Sequence, residues 1–119
     1  MLGDYKIRIN IKPLSVNEAW QGRRKKTDSY RAYEKEVLYK LRKMDIPSGN
    51  LYLRLEFGFS SAGSDFDNPI KPIVDIFQKY YGFNDNRITK AYVEKKKVSK
   101  GEEYIEFSID SAANYINKG

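Results

Sequence analysis

The pattern of apolar residues predicts an α+β domain of order β-α-β-α-β-β, two helices packed on a small mixed sheet. Three observations carry that expectation. Leu51, Leu53, Leu55, Phe57 and Phe59 alternate with Tyr52, Arg54, Glu56 and Gly58, the period of a strand with one buried face. Two other stretches, Tyr30–Tyr33–Val37–Leu41–Met44 and Ile70–Ile73–Val74–Phe77–Tyr81, repeat at three- and four-residue spacing, the period of an amphipathic helix. The chain has 119 residues, the size of one hydrophobic core, so residues 1–119 are expected to form a single domain.

Taken in order, Tyr5, Ile7, Ile9 and Ile11 alternate with Lys6, Arg8, Asn10 and Lys12 and predict a first strand, stopped by Pro13. Pro13 to Asn17 reads as a loop, and 21–28 as a polar, solvated and mobile one. Thr27, Asp28 or Ser29 can cap the first helix, about four turns long and ending before Pro47. The central strand follows, then a small-residue loop at 60–64. The second helix has two possible starts: at Pro69 with Asn68 as cap, or at Pro72. Gly82–Arg87 is a turn. Ile88–Val98 and Glu103–Asp110 read as strands joined in a hairpin through Ser99-Lys100-Gly101. The lysines that interrupt the first of these predict a bulge or an exposed edge. Residues 111–119 read as a frayed tail.

Composition narrows the chemistry. The chain has no cysteine and no histidine. Thiol nucleophiles, disulfides, Ser-His-Asp triads and the usual zinc sites are thereby excluded. What remains is carboxylates, Lys, Arg, Tyr, Ser and Thr, and oxygen ligands select hard cations such as Mg²⁺ or Mn²⁺. A formal net charge of +6 points to a polyanionic partner. No apolar run is long enough to span a membrane, and Met1–Asn10 lacks the basic-then-apolar order of a secretory leader, so a cytoplasmic location is expected.

The informative segment is Asp65-Phe66-Asp67-Asn68-Pro69-Ile70-Lys71, between the central strand and the second helix. Two carboxylates two residues apart in extended chain project to one side and can converge on a cation. Lys71 and Asp75 lie one helical turn apart, and Asn84-Asp85-Asn86 in the next turn can supply a third carboxylate. Carboxylates around a divalent ion, with a lysine for the charge that develops on phosphate, make a phosphodiesterase site that needs no histidine. The same residues also suit a plain cap and turn. Arg23, Arg24, Lys25 and Lys26, together with Lys90, Lys95, Lys96 and Lys97, can contact phosphates or can be solvated charge that blunts a strand edge. Among aromatics placed to stack on bases, Trp20 is the foremost, with Tyr30 and Tyr92 beside it, while Tyr33 reads as core.

The pattern Asp65-x-Asp67-Asn68-x-x-Lys71-x-x-x-Asp75, followed by Asp85-x-x-Ile88, resembles the signature of the RusA family of Holliday junction resolvases. Pro13-x-Ser15-x-Asn17, the basic loop leading to Tyr30-Arg31-x-Tyr33, and the lysine-rich close are similar to that family as well. The resemblance implies a RusA-like fold and a Mg²⁺-dependent homodimer, with Mn²⁺ a possible substitute, that nicks four-way DNA junctions symmetrically in recombination and repair. It implies no membrane and no further protein partner, and suggests a bacterial or phage source. Carried over residue by residue, Asp65, Asp67 and Asp85 are the metal ligands, Lys71 is the essential lysine, Asn68 organises the turn and Asp75 occupies an often acidic helix position. The family has two adjacent acids where this chain has Asn84-Asp85-Asn86. The catalytic acid then aligns with Asp85 if the spacing to Ile88 is kept, or with Asn86 if the spacing from the helix is kept.

Overall fold

The computed structural model describes residues 6–14, 20–21, 25–60 and 69–115, with the backbone path alone for 20, 21, 25, 114 and 115. Its elements are β1 (Ile7–Ile9), β2 (Trp20–Gln21), β3 (Lys25–Lys26), α1 (Asp28–Lys40), β4 (Leu51–Phe59), α2 (Ile70–Tyr81), a 3₁₀ turn (Asp85–Arg87), β5 (Ile88–Lys97), β6 (Tyr104–Ser111) and a last 3₁₀ turn (Ala112–Tyr115). Two helices on a four-stranded mixed sheet are the expected α+β arrangement, with the short β2–β3 ribbon added.

The sheet order is β1-β6-β4-β5. The most apolar strand takes a central place, because β4 buries every odd-numbered residue from Leu51 to Phe59. Ile7 and Ile9 of β1 and Ile105, Phe107 and Ile109 of β6 join them on the covered face. Against it lie Tyr30, Tyr33 and Val37 of α1 and Ile73, Val74, Ile76 and Phe77 of α2. The Phe77 and Phe107 rings stack with centroids 4.2 Å apart. The opposite face is polar and only partly covered: Arg8 pairs with Glu106 at 3.0 Å, and Lys96 reaches Glu56 at 3.7 Å.

The expected hairpin between the last two strands does not form. β5 pairs with β4 in parallel and β6 pairs with β4 antiparallel, so the central strand separates them. Two sequential strands can pair directly only if neither has a better neighbour. Here both flank β4, the most apolar strand of the sheet. The β4–α2–β5 segment is a parallel crossover, which requires an intervening helix. The connection after β5 instead passes over the end of β4: Val98 N–H donates to the Phe59 carbonyl (2.7 Å) and Ser60 Oγ to Glu103 Oε2 (2.5 Å). That second bond, ahead of weaker contacts, holds the Glu103 carboxyl below its ordinary range. The expected edge and bulge are both present, since β5 ends the sheet and its register shifts opposite Leu51 and Tyr52.

The cap of α1 is one of the three expected, whereas several other boundaries differ from expectation. Thr27 caps α1, its hydroxyl accepting from Tyr30 N–H at 3.1 Å. The helix ends at Lys40 rather than running on to Met44, because Leu41 turns extended. Two tyrosine hydroxyls of α2 hold the extended chain that follows: Tyr80 donates to the Leu41 carbonyl (3.3 Å) and Tyr81 to that of Arg42 (2.6 Å). Met44 and Ile46 still pack on the core from outside the helix. Helix α2 begins at Ile70, so Pro69 takes the cap position and Pro72 falls in the first turn, where a missing N–H costs little. The region expected to be a plain loop at 21–28 carries β3, the Thr27 cap and the start of α1. Of the tail expected at 111–119, residues 111–115 are instead regular structure, and 116–119 lie outside the described residues. Ser111 completes β6, and the Ala112 N–H donates to the Asn50 carbonyl at 2.9 Å. Among the described residues no helix is long and apolar enough to cross a membrane.

Candidate functional site

The opening turn of α2 departs from what a helix N-terminus prefers. Its first turn contains no acid, and Pro69 supplies no side-chain cap. The free N–H groups and the positive end of the helix dipole favour an anion there. Lys71 stands at the second helical position instead, adding positive charge to the positive end. Its Nζ lies 3.2 Å from Asp75 Oδ2, one turn on. A cation placed N-terminal to its acid is the weaker order for helix support. Neither choice serves the helix.

Ile70, Lys71, Val74, Asp75 and Asp85 line one open cleft of about 440 Å³ along the flank of α2. Asp85 reaches it from the 3₁₀ turn. Gly82 ends α2 in the left-handed region (φ 74°), which turns the chain back toward that flank. Asn84 then closes the turn, its side chain accepting from Asn86 N–H at 2.9 Å. Arg87 anchors the turn from below, donating to the carbonyls of Gly49 (2.9 Å) and Pro47. Between the two alignments left open by the sequence, Asp85 and not Asn86 belongs to the cleft lining.

The base of the β2–β3 ribbon adjoins this flank through Tyr30. Lys26 Nζ sits 4.9 Å over the Tyr30 ring. Burial, then the negative charges of Glu34 and Asp75, push the Tyr30 hydroxyl up to about 12. Glu34 ties the layers together, meeting Lys79 of α2 at 2.6 Å and Lys26 at 3.9 Å. Tyr30 is 2% exposed, which removes it from the aromatics able to stack on bases; Tyr92 is 48% exposed on β5.

Asp65, Asp67, Asn68, Arg23 and Arg24 lie outside the described residues, as do the side chains of Lys25 and Trp20. Lys90, Lys95, Lys96 and Lys97 are all exposed or half-exposed and all on the edge strand β5, but they divide between its two faces. In the register with β4, Lys90 and Lys96 share the polar face with Tyr52 and Glu56, while Lys95 and Lys97 share the side of Phe57 and Phe59. Among the described residues no group of three or more His, Cys, Asp or Glu side chains is gathered to hold a metal. The described carboxylates of the cleft, Asp75 and Asp85, are oxygen donors of the kind hard cations take.

One residue bonded to the Asp75 carboxylate and the Asp85 turn escaped the sequence reading. Gln78, three positions past Asp75, contacts both Asp75 and the Asp85 turn. The only signal was its place on the same helix flank as Lys71 and Asp75, and a glutamine there reads as ordinary surface. No protein-family model matches the chain, and no curated protein matches it in sequence.

Proposed function

We propose that this chain is a metal-dependent, structure-selective DNA endonuclease that resolves four-way junctions. The observation that carries the reading is the cleft along α2. Lys71, set against helix preference, shares it with Asp75 and Asp85, directly after the segment bearing Asp65 and Asp67, in a chain of net charge +6.

In this reading Asp65, Asp67 and Asp85 hold Mg²⁺, or Mn²⁺ in its place. A bound ion supplies charge neutralisation at the phosphate and makes water a better nucleophile. Lys71 and the free N–H groups of the first turn of α2 receive the phosphate oxygens and neutralise charge developing on them. Asp75 fixes where the Lys71 ammonium waits before substrate arrives. Arg23, Arg24, Lys25 and Lys26 and the β5 lysines Lys90, Lys95, Lys96 and Lys97 hold the arms through their phosphates. Two opposed nicks need two sites, so the active species is a homodimer whose twofold axis matches that of the junction.

The test is cleavage of a mobile four-way junction with Mg²⁺, comparing wild type with Asp67→Asn. Paired nicks by wild type and none by the variant are expected. Unchanged nicking by the variant removes the assigned site. Tight binding without nicking by wild type makes the chain a basic nucleic-acid-binding domain instead. In that event, activity gained by Asn86→Asp identifies an inactivated nuclease.

A further inference from the structure

The two described carboxylates of the cleft come from different elements, Asp75 from α2 and Asp85 from the following turn. One side chain touches both residues. Gln78 Nε2 donates to Asp75 Oδ1 at 3.4 Å, and its Oε1 accepts from the Asp85 backbone N–H at 2.8 Å. The Gln78 carbonyl also accepts from Gly82 N–H at 2.9 Å, the bond that closes the last turn of α2. Its side chain is half-buried against the helix, and the two bonds fix which way the amide faces.

We infer that Gln78 is the positioning residue of this cleft, holding the Asp75 carboxylate and the turn that bears Asp85 in one fixed relation. The chemistry demands an amide. A carboxamide offers a donor and an acceptor side by side, matching a carboxylate on one hand and an N–H on the other. A glutamate keeps the acceptor for Asp85 N–H and sets a like charge against Asp75. A methionine of similar length keeps the helix and makes neither bond. Through Asp75 the arrangement extends to Lys71, so the ammonium at one end of the cleft and the Asp85 backbone at the other share one hydrogen-bonded chain. The catalytic consequence rests on the nuclease reading, while the positioning itself does not.

The experiment compares wild type, Gln78→Met and Gln78→Glu by amide hydrogen exchange at Asp85, by Mn²⁺ titration followed with electron paramagnetic resonance, and by junction-nicking kinetics. Gln78→Met is expected to speed exchange at Asp85 about fivefold, the size of one missing hydrogen bond. It is also expected to weaken Mn²⁺ binding several-fold and to lower kcat with KM unchanged. Gln78→Glu is expected to keep Asp85 protected while losing kcat. Equal exchange at Asp85 in wild type and Gln78→Met overturns the inference. If Gln78→Met does not fold, loss of Asp85 protection in Gln78→Glu overturns it equally. Wild type that neither binds Mn²⁺ nor nicks DNA defeats the nuclease reading, and the exchange contrast between the two variants then decides the role of Gln78.

Discussion

Lys71 stands where helix electrostatics would put an acid, and its partner Asp75 follows it in the less favourable order. A residue that breaks local preference without a packing reason is a candidate for a functional role. Its side chain is 62% exposed, so the Lys71–Asp75 pair contributes at most about 0.5 kcal/mol to folding. Lys71→Ala is therefore expected to leave thermal melting unchanged and to lower junction nicking roughly 10²–10³-fold, the scale of removing one electrostatic donor. A melting point that drops by many degrees would reassign Lys71 to structure. Gly58 shows the opposite kind of constraint. A Cβ there would overlap the Tyr104 ring, which lies across the glycine. The ring cannot easily yield, because its hydroxyl is bound to Glu56 and the Arg8 guanidinium covers it at 3.8 Å. Gly58→Ala should cost about 1–3 kcal/mol by chemical denaturation, an overpacking penalty. A neutral Gly58→Ala would mean that Tyr104 is free to swing out.

At the scale of elements, periodicity is a sound guide wherever one face is buried and the other is not. β4 has the same limits in sequence and in structure, and the apolar stripes of α1 and α2 are the faces that pack on it. Ends are less legible. α1 stops at Lys40, where Leu41 turns extended, and Tyr80 and Tyr81, some forty residues away, bind the carbonyls of Leu41 and Arg42 just beyond it. Its start is local and can be foreseen: Thr27 is one of three candidate caps in the sequence, and Thr27→Ala should cost about 1 kcal/mol. Because Lys26 and Tyr30 flank that cap, the same variant is expected to weaken junction binding slightly, measurable by gel shift. The β5–β6 hairpin is where the expectation fails. A turn signal specifies that the chain reverses, not which strand receives it, and β4 competes more strongly for both edges. Asp85 and Gln78 show the same limit in the site, since they stand seven positions apart and the Gly82 turn brings them into contact.

Across the whole molecule, buried hydroxyls set an alkaline limit on stability. Burial first, then neighbouring negative charge, pushes Tyr30 up to about 12. Burial, then the Glu56 hydrogen bond, pushes Tyr104 to about 12, and deep burial raises Tyr33 further. A raised folded value means the unfolded chain ionises first. Stability from these groups is thus complete below pH 10 and falls between about 10 and 12. Ultraviolet titration of the ten tyrosines should show a late fraction that ionises together with unfolding; ten equivalent tyrosines ionising near pH 10 would contradict it. Charge on the same scale governs binding. Junction affinity should fall steeply with salt, and replacing Lys95, Lys96 and Lys97 by glutamine should flatten that slope by about one for each phosphate no longer neutralised. A slope unchanged in the triple variant would confine DNA to the ribbon side.

Sequence by itself determined the class of the fold, the identity of the central strand and both helix faces, and the exclusion of chemistry that needs cysteine or histidine. Those properties follow from local periodicity and from which side chains are present at all. Tertiary structure decided the partners: β4 between β5 and β6, Asp85 rather than Asn86 on the cleft lining, Tyr30 buried against the ribbon, and Gln78 between Asp75 and the Asp85 turn. The strand pairing is a competition for one surface among segments distant in the chain, and the other contacts depend on how the turns fold back. Each outcome depends on buried area and hydrogen bonds that exist only once the sheet and helices have met.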